Sequence, residues 1–159
     1  MRGLSAMSHE LSALTRVTPH LIASAKLTVA TTGQGFTDIT RDVTRFLKEI
    51  AAHEGTVFLF LRHTSASLVI QENADPDVQK DLLTALDRLA PERAGWVHDT
   101  EGPDDMPAHV KAMLNGVTLH VPVLQGTMKL GTWQGVYLAE HRSAPHQREV
   151  ILQFIGSAG

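Results

Sequence analysis

Between Trp96 and His109 the chain reads W-V-H-D-T-E-G-P-D-D-M-P-A-H, which places His98, Asp99, Glu101, Asp104, Asp105 and His109 around Gly102, Pro103 and Pro107. Two imidazoles and four carboxylates within fourteen residues, set by rigid turn residues, make a donor set suited to a divalent metal or to proton transfer. A third imidazole, His63, follows an apolar run in H-T-S-A-S (63–67) and is a candidate for the same site. The chain holds no cysteine, so a transition metal must be bound by His, Asp or Glu.

His109 falls in the first turn of an expected helix, where the positive helix end disfavours the imidazolium and leaves a neutral ring able to coordinate. The plain alternative is a boundary histidine bonded to its own turn. His98 precedes Asp99, which can orient the ring or only solvate a loop. The spacing from His98 to His109 is a weak metal signal taken alone. His63 after one apolar strand and Glu140-His141-Arg142 after another strengthen it, because four segments then offer polar ends. Ser65 and Ser67 beside His63 invite a serine-hydrolase reading, but no G-x-S-x-G elbow is present. Gly126, Gly131 and Gly135 are not followed by Lys-Ser/Thr, so they make no phosphate-binding P-loop. Trp133 can stack on a planar ring or pack in a core. Arg142 and Arg148 can hold phosphate bidentately or lie solvated.

The elements that must position these groups follow from pattern. Leu21 to Thr32 reads as a strand entering a turn at Gly33-Gln34-Gly35. Thr40 is placed to cap a helix running to about Ala52, with Val43, Phe46, Leu47 and Ile50 on one face. Thr56–Leu61 and Ser67–Glu72 read as strands, with a tight connection at 63–66. Asp75-Pro76 is a strong helix start, and Val78, Leu82, Ala85, Leu86 and Leu89 form the stripe expected to be buried before Pro91 ends the helix. A third helix is expected over about Met106–Asn115, with Met106, Val110, Met113 and Leu114 as its apolar face and Gly116 closing it. Strands are expected at Val117–Val123, Gly126–Gln134, Gly135–His141 and Glu149–Ile155. The order predicts a single α+β domain, residues 19–159, with a largely antiparallel sheet and three helices packed on it. Residues 1–18 are expected to be a frayed N-terminal tail.

At 159 residues with 43% hydrophobic and 19% charged side chains, the chain is long and apolar enough for one folded core. A net charge of −3 argues against a protein built to grip nucleic acid or an anionic membrane. No apolar run approaches the roughly 20 residues that span a bilayer, and no signal-peptide stretch opens the chain. A cytoplasmic protein acting on a small molecule is the expectation.

The blocks H-T-S-A-S (63–67), Q-E-N-A-D-P-D-V (71–78), E-G-P-D-D-M-P-A-H (101–109), G-T-W-Q-G-V-Y-L-A-E-H-R (131–142) and R-E-V-I-L-Q-F-I-G (148–156) closely resemble the YjbQ family, in order, from about His20 to Gly156. The resemblance implies a compact α+β subunit, a homotrimer with the motif residues near a subunit boundary, and a polar site that includes His63, His98, His109, Asn73, Asp75, Asp104, Asp105, Gln134 and Glu140. It also implies the activity ascribed to the family, secondary thiamine-phosphate synthesis. That reaction joins an aminopyrimidine diphosphate to a thiazole phosphate and releases pyrophosphate. On that basis His63, His98 and His109 are expected to bind a divalent metal, with zinc or another transition metal favoured by imidazole and magnesium the alternative. Asp105 and Glu140 are the expected catalytic groups. Asn73, Asp75, Trp133, Gln134 and Arg142 are the expected substrate contacts. A three-imidazole site suits metal-assisted hydrolysis of a small phosphate or related ester better than magnesium-diphosphate chemistry, so a hydrolase is the leading alternative. A non-catalytic trimer that binds a metal or small ligand is the third.

Overall fold

The computed structural model describes residues 11–159. Of the expected N-terminal tail, residues 1–10 lie outside the described residues, and 11–18 are exposed without regular structure. Eleven elements follow: β1 (Leu21–Ala30), β2 (Gly35–Asp38), α1 (Thr40–Glu49), β3 (Ala52–Leu61), β4 (Ala66–Glu72), α2 (Pro76–Leu89), α3 (Asp105–Asn115), β5 (Thr118–Leu124), β6 (Thr127–Met128), β7 (Gln134–Glu140) and β8 (Gln147–Ala158).

The strands form two sheets instead of one. The larger runs β1-β8-β3-β5-β6 and the smaller β2-β7-β4, and all their ladders are antiparallel. Val57, Leu59, Leu61, Val121, Val123, Val150, Leu152 and Phe154 point from the larger sheet into a shared core, where they meet Leu68, Val136 and Leu138 of the smaller one. Val43, Phe46 and Leu47 of α1 join them, the stripe expected from helical spacing. The smaller sheet is covered on its other face as well, by α2 and α3, so β7 is buried from Gly135 through Glu140. A strand covered on both faces loses the alternation of polar and apolar residues, which explains the run G-V-Y-L-A-E.

Several local expectations are corrected. Thr40 does not cap α1: Asp38 Oδ1 accepts the Thr40 N–H at 2.8 Å, while the Thr40 hydroxyl accepts Val136 N–H at 2.9 Å and so ties the helix to β7. The strand expected over Gly126–Gln134 shrinks to Thr127–Met128, because Gly131 O accepts the Gln134 N–H and turns the chain. The stripe of α2 is only half-buried, with Leu89 and Ala85 exposed. The face assigned to α3 is the wrong one. Met113 and Leu114 lie in solvent, whereas Asp105, Ala108, Lys111 and Ala112 are buried. Small side chains let α3 approach β4 closely, and that packing decided the face over the larger apolar residues.

Of the three direct crossings between the sheets at one end of the sandwich, one joins β1 to β2 at residues 31–34, and the two that frame the site lie at residues 62–65 between β3 and β4 and at residues 141–146 between β7 and β8. The loop that leads into α3 closes over the same end, because Arg142 binds Glu101 and Asp104. Three irregular segments thus meet over a rigid scaffold, as binding sites commonly require.

Candidate metal centre

Asp105 opens α3 and His109 stands one turn later on the same face. His98 comes from the preceding loop. Each of the three offers a ligand atom, and these atoms all lie within 4.8 Å of one another. Asp105 is buried, His98 exposed and His109 in between, so the carboxylate forms a floor and the rings form the mouth.

The hydrogen bonds assign the protons. Thr64 O can only accept, so His109 Nδ1 donates to it at 3.0 Å. In the neutral ring Nε2 then carries a lone pair, and it faces Asp105 Oδ2 at 3.4 Å. His98 Nε2 lies 2.8 Å from the same oxygen. An imidazole lone pair turned towards a buried carboxylate is satisfied only by a proton or a metal cation between them. Two imidazoles and one carboxylate are the donor set of many open transition-metal sites, and the orienting Thr64 carbonyl is the usual partner of a ligating histidine. The residues fit a divalent ion.

The carboxylate is held from behind. Arg142 Nη1 donates to Asp105 Oδ1, Arg142 Nε to Asp104 Oδ2 at 3.1 Å, and Arg142 Nη2 to Glu101 O at 2.7 Å. Asp104 Oδ2 also accepts the Ser143 N–H at 2.8 Å and its hydroxyl at 3.0 Å. Burial opposes the charge of Asp104, but Ser143 and Arg142 outweigh it and lower the carboxyl to about 2. Three of the five N–H groups of Arg142, an expected substrate contact, thus serve the protein itself, which makes it an anchor for Asp104 and Asp105.

Glu140, the other expected catalytic group, is enclosed by protein donors. It is 1% exposed and accepts from Arg148 Nε and Nη2, both at 2.7 Å, from the Thr31 hydroxyl at 3.0 Å, and from the N–H groups of His141 and Arg142. Burial works against its charge, yet the Arg148 bonds hold its pKa below the usual value. A carboxylate so saturated neither moves a proton nor reaches a substrate. Ser65 is also buried, bonded to His63 and Arg148, and Ser67 is buried against His141, which removes the serine-nucleophile reading.

His63 lies outside the three-residue cluster. Its Nδ1 accepts the Ser65 N–H at 3.1 Å and lies 3.0 Å from the Ser65 hydroxyl. Because the main-chain N–H can only donate, the lone pair of His63 Nδ1 is occupied. The other expected substrate contacts lie elsewhere. Asp75 caps α2 by accepting the Asp77 N–H at 2.9 Å. Asn73 Nδ2 donates to Thr132 O and Gln134 O, Gln134 Oε1 accepts the Gly131 N–H, and Trp133 is 65% exposed. Antiparallel pairing runs from Ala66↔Glu140 to Glu72↔Gln134, six residue steps along the ladder. At about 3.4 Å per residue the two ends are roughly 20 Å apart. Within one chain Asn73, Asp75, Trp133 and Gln134 do not reach the histidines.

Fold and site together define an α+β sandwich with a two-histidine, one-carboxylate centre at one end. The family model described as UPF0047 protein YjbQ-like matches residues 25–157, and the chain belongs to that family. A UPF0047 protein of Synechocystis is 46% identical over 82% of this chain and 89% of its own length. The YjbQ protein of Salmonella typhimurium is 42% identical over 82% and 95%. Among solved structures, an uncharacterized conserved YjbQ/UPF0047 protein of Clostridium acetobutylicum superposes with a TM-score of 0.76 at 36% identity, covering 82% of this chain and 98% of that one. A conserved hypothetical protein of Thermus thermophilus gives 0.71 at 41%, covering 80% and 97%.

Proposed function

We propose that this protein is a divalent-metal-dependent hydrolase of a small phosphate or related ester, with His98, Asp105 and His109 as the ion's ligands. The observation that carries this reading is the convergence of the His109 Nε2 lone pair and His98 Nε2 on one oxygen of a buried aspartate. Imidazole favours zinc or a similar transition ion over magnesium. An ion held by three protein ligands keeps positions open, lowers the pKa of bound water and polarises a substrate oxygen. The chain's own groups prepare that chemistry. Arg142 fixes the carboxylate, Thr64 O fixes the His109 tautomer, and Asp104 keeps Arg142 in place.

The transferase reaction implied by the family must neutralise a departing diphosphate. In this chain Arg142 and Arg148 are committed to carboxylates, so the cations that would clamp it are spent, which favours hydrolysis. The homotrimer implied by the resemblance is retained as part of the proposal. No helix among the described residues is long and apolar enough to cross a membrane.

Metal analysis of purified variants tests the reading. Wild-type protein is expected to hold about one equivalent of zinc, and His98→Ala, Asp105→Asn and His109→Ala to weaken it at least ~10-fold. Zinc-dependent turnover of 4-nitrophenyl esters without a second substrate supports hydrolysis. Thiamine phosphate formed from its two precursors, with no ester turnover, would restore the transferase. Undiminished zinc in the His109→Ala and Asp105→Asn proteins overturns the centre itself.

A further inference from the structure

We infer that His63 serves this centre as a neutral hydrogen-bond donor, offering Nε2–H to the anionic oxygen of the substrate, and is not a metal ligand. The inference rests on the proposed centre but concerns a residue outside it.

The placement of the proton follows from a buried chain of contacts. Glu140 receives both Arg148 nitrogens at 2.7 Å and is itself fixed by the Thr31 hydroxyl. The Arg148 Nη2 donates to Ser65 Oγ at 3.1 Å, and that hydroxyl therefore points its own hydrogen elsewhere. The available acceptor is His63 Nδ1 at 3.0 Å, which the Ser65 N–H also reaches. Two donors converge on Nδ1, so the ring's single proton must sit on Nε2. Glu140, Arg148 and Ser65 are all 1% exposed, whereas the His63 ring is exposed. Protein groups thus fill one nitrogen, and the other is left for something outside.

His63 is close enough to the proposed centre for His109 to act electrostatically on its ring. His63 directly precedes Thr64, whose carbonyl holds His109, so both rings hang from one short crossing between β3 and β4. Partial burial and the positive Arg148 behind the ring lower the His63 pKa, which keeps it neutral around pH 7. A neutral imidazole donates a hydrogen bond without giving up a proton, and a donor fixed in advance needs no reorganisation as charge develops on the substrate. Ligation would instead require Nε2 to lose its proton, because Nδ1 is already engaged.

Two measurements that do not depend on turnover test this. Long-range ¹H–¹⁵N correlation spectra of ¹⁵N-histidine protein at pH 7–8 should show His63 as the Nε2–H tautomer. Titration of zinc-loaded protein with inorganic phosphate should give about 10-fold weaker binding in His63→Ala than in wild type, with zinc content unchanged, and partial recovery in His63→Gln, which restores an N–H. An Nδ1–H tautomer, loss of zinc in His63→Ala, or phosphate affinity indifferent to the substitution would each overturn the assignment. Protein that binds no zinc at all defeats the proposed centre instead, and the tautomer spectrum still decides where the His63 proton sits.

Discussion

His141 shows what a single buried side chain costs this fold. It is 2% exposed, its Nε2 meets the Ser67 hydroxyl, and its Nδ1 has no partner among the described residues. Burial, with the nearby ammonium of Lys111 second, lowers its pKa from 6.5 to about 4. The unfolded chain therefore takes up this proton first as pH falls. Stability should be full above about pH 6.5, decline towards pH 4 by up to ~1.4 kcal/mol per pH unit, and then level off with respect to this group. Asp104 acts in the next window, between its ordinary 3.8 and its folded value near 2, because the native state prefers its charged form. Urea midpoints measured from pH 8 to pH 4 should flatten in His141→Gln. An unchanged slope would show that the ring is not what titrates. The sequence placed His98, Asp105 and His109 in one short polar segment around a helix start, but it expected the metal on His63, His98 and His109 and a catalytic role for Asp105, whereas the structure groups Asp105 with His98 and His109. It gave no sign that Glu140 and Arg142 would be consumed by Arg148, Asp104 and Asp105, since ion pairs between residues 8 to 38 positions apart depend on how the sheets cross.

At the scale of elements, β3 and β8 approach closely at a pair of glycines. Gly55 and Gly156 pair across the ladder, just past a register shift between Ala52 and Gly55. A Cβ on Gly156 would lie 2.1 Å from Glu54 O and 2.6 Å from the Phe154 ring, and one on Gly55 would lie 2.2 Å from Ile155 O. The carbonyl oxygens are main-chain obstacles that no rotamer change removes, so Gly156→Ala should destabilise by ~3 kcal/mol or more. Gly35 in β2 meets nothing within 4 Å, and its alanine variant should stay within ~0.5 kcal/mol of wild type by thermal or urea unfolding. Equal effects at the two positions would mean that the strands can separate to admit a methyl group. Strands and helices were legible where periodicity and turn residues agreed, as in Asp75-Pro76 before α2 and Gly116 after α3. The division into two sheets was not, because antiparallel strands read alike whichever sheet they join. The face of α3 was misjudged for a related reason: Ala108 and Ala112 carry little hydrophobic weight, yet their size lets the helix settle on β4.

For the whole molecule, the outer face of the larger sheet carries an apolar stripe, in which Ile22, Phe58, Phe60 and Ile155 are each at least 36% exposed. The cross-strand register sets Ile22 opposite Ile155 and Phe60 opposite Ile151, so these side chains share one surface. Such a patch is costly on an isolated subunit and suits association of copies. If the chain assembles as the proposed homotrimer, light scattering should return about three times the 17.3 kDa subunit mass, and Phe58→Asp with Phe60→Asp should lower it. Assembly also bears on the split between the two ends of β4 and β7. Trp133 and Gln134 lie roughly 20 Å from the histidines of their own chain, so they act on the same ligand only when supplied by another copy. Complementation decides this. His109→Ala and Trp133→Ala proteins, each weakly active alone, should regain activity after being unfolded together and refolded as mixed oligomers, since some centres would then combine an intact His109 with a neighbour's intact Trp133. Mixed oligomers no more active than the average of their parents would show that the Trp133 end takes no part in the chemistry and belongs to packing alone.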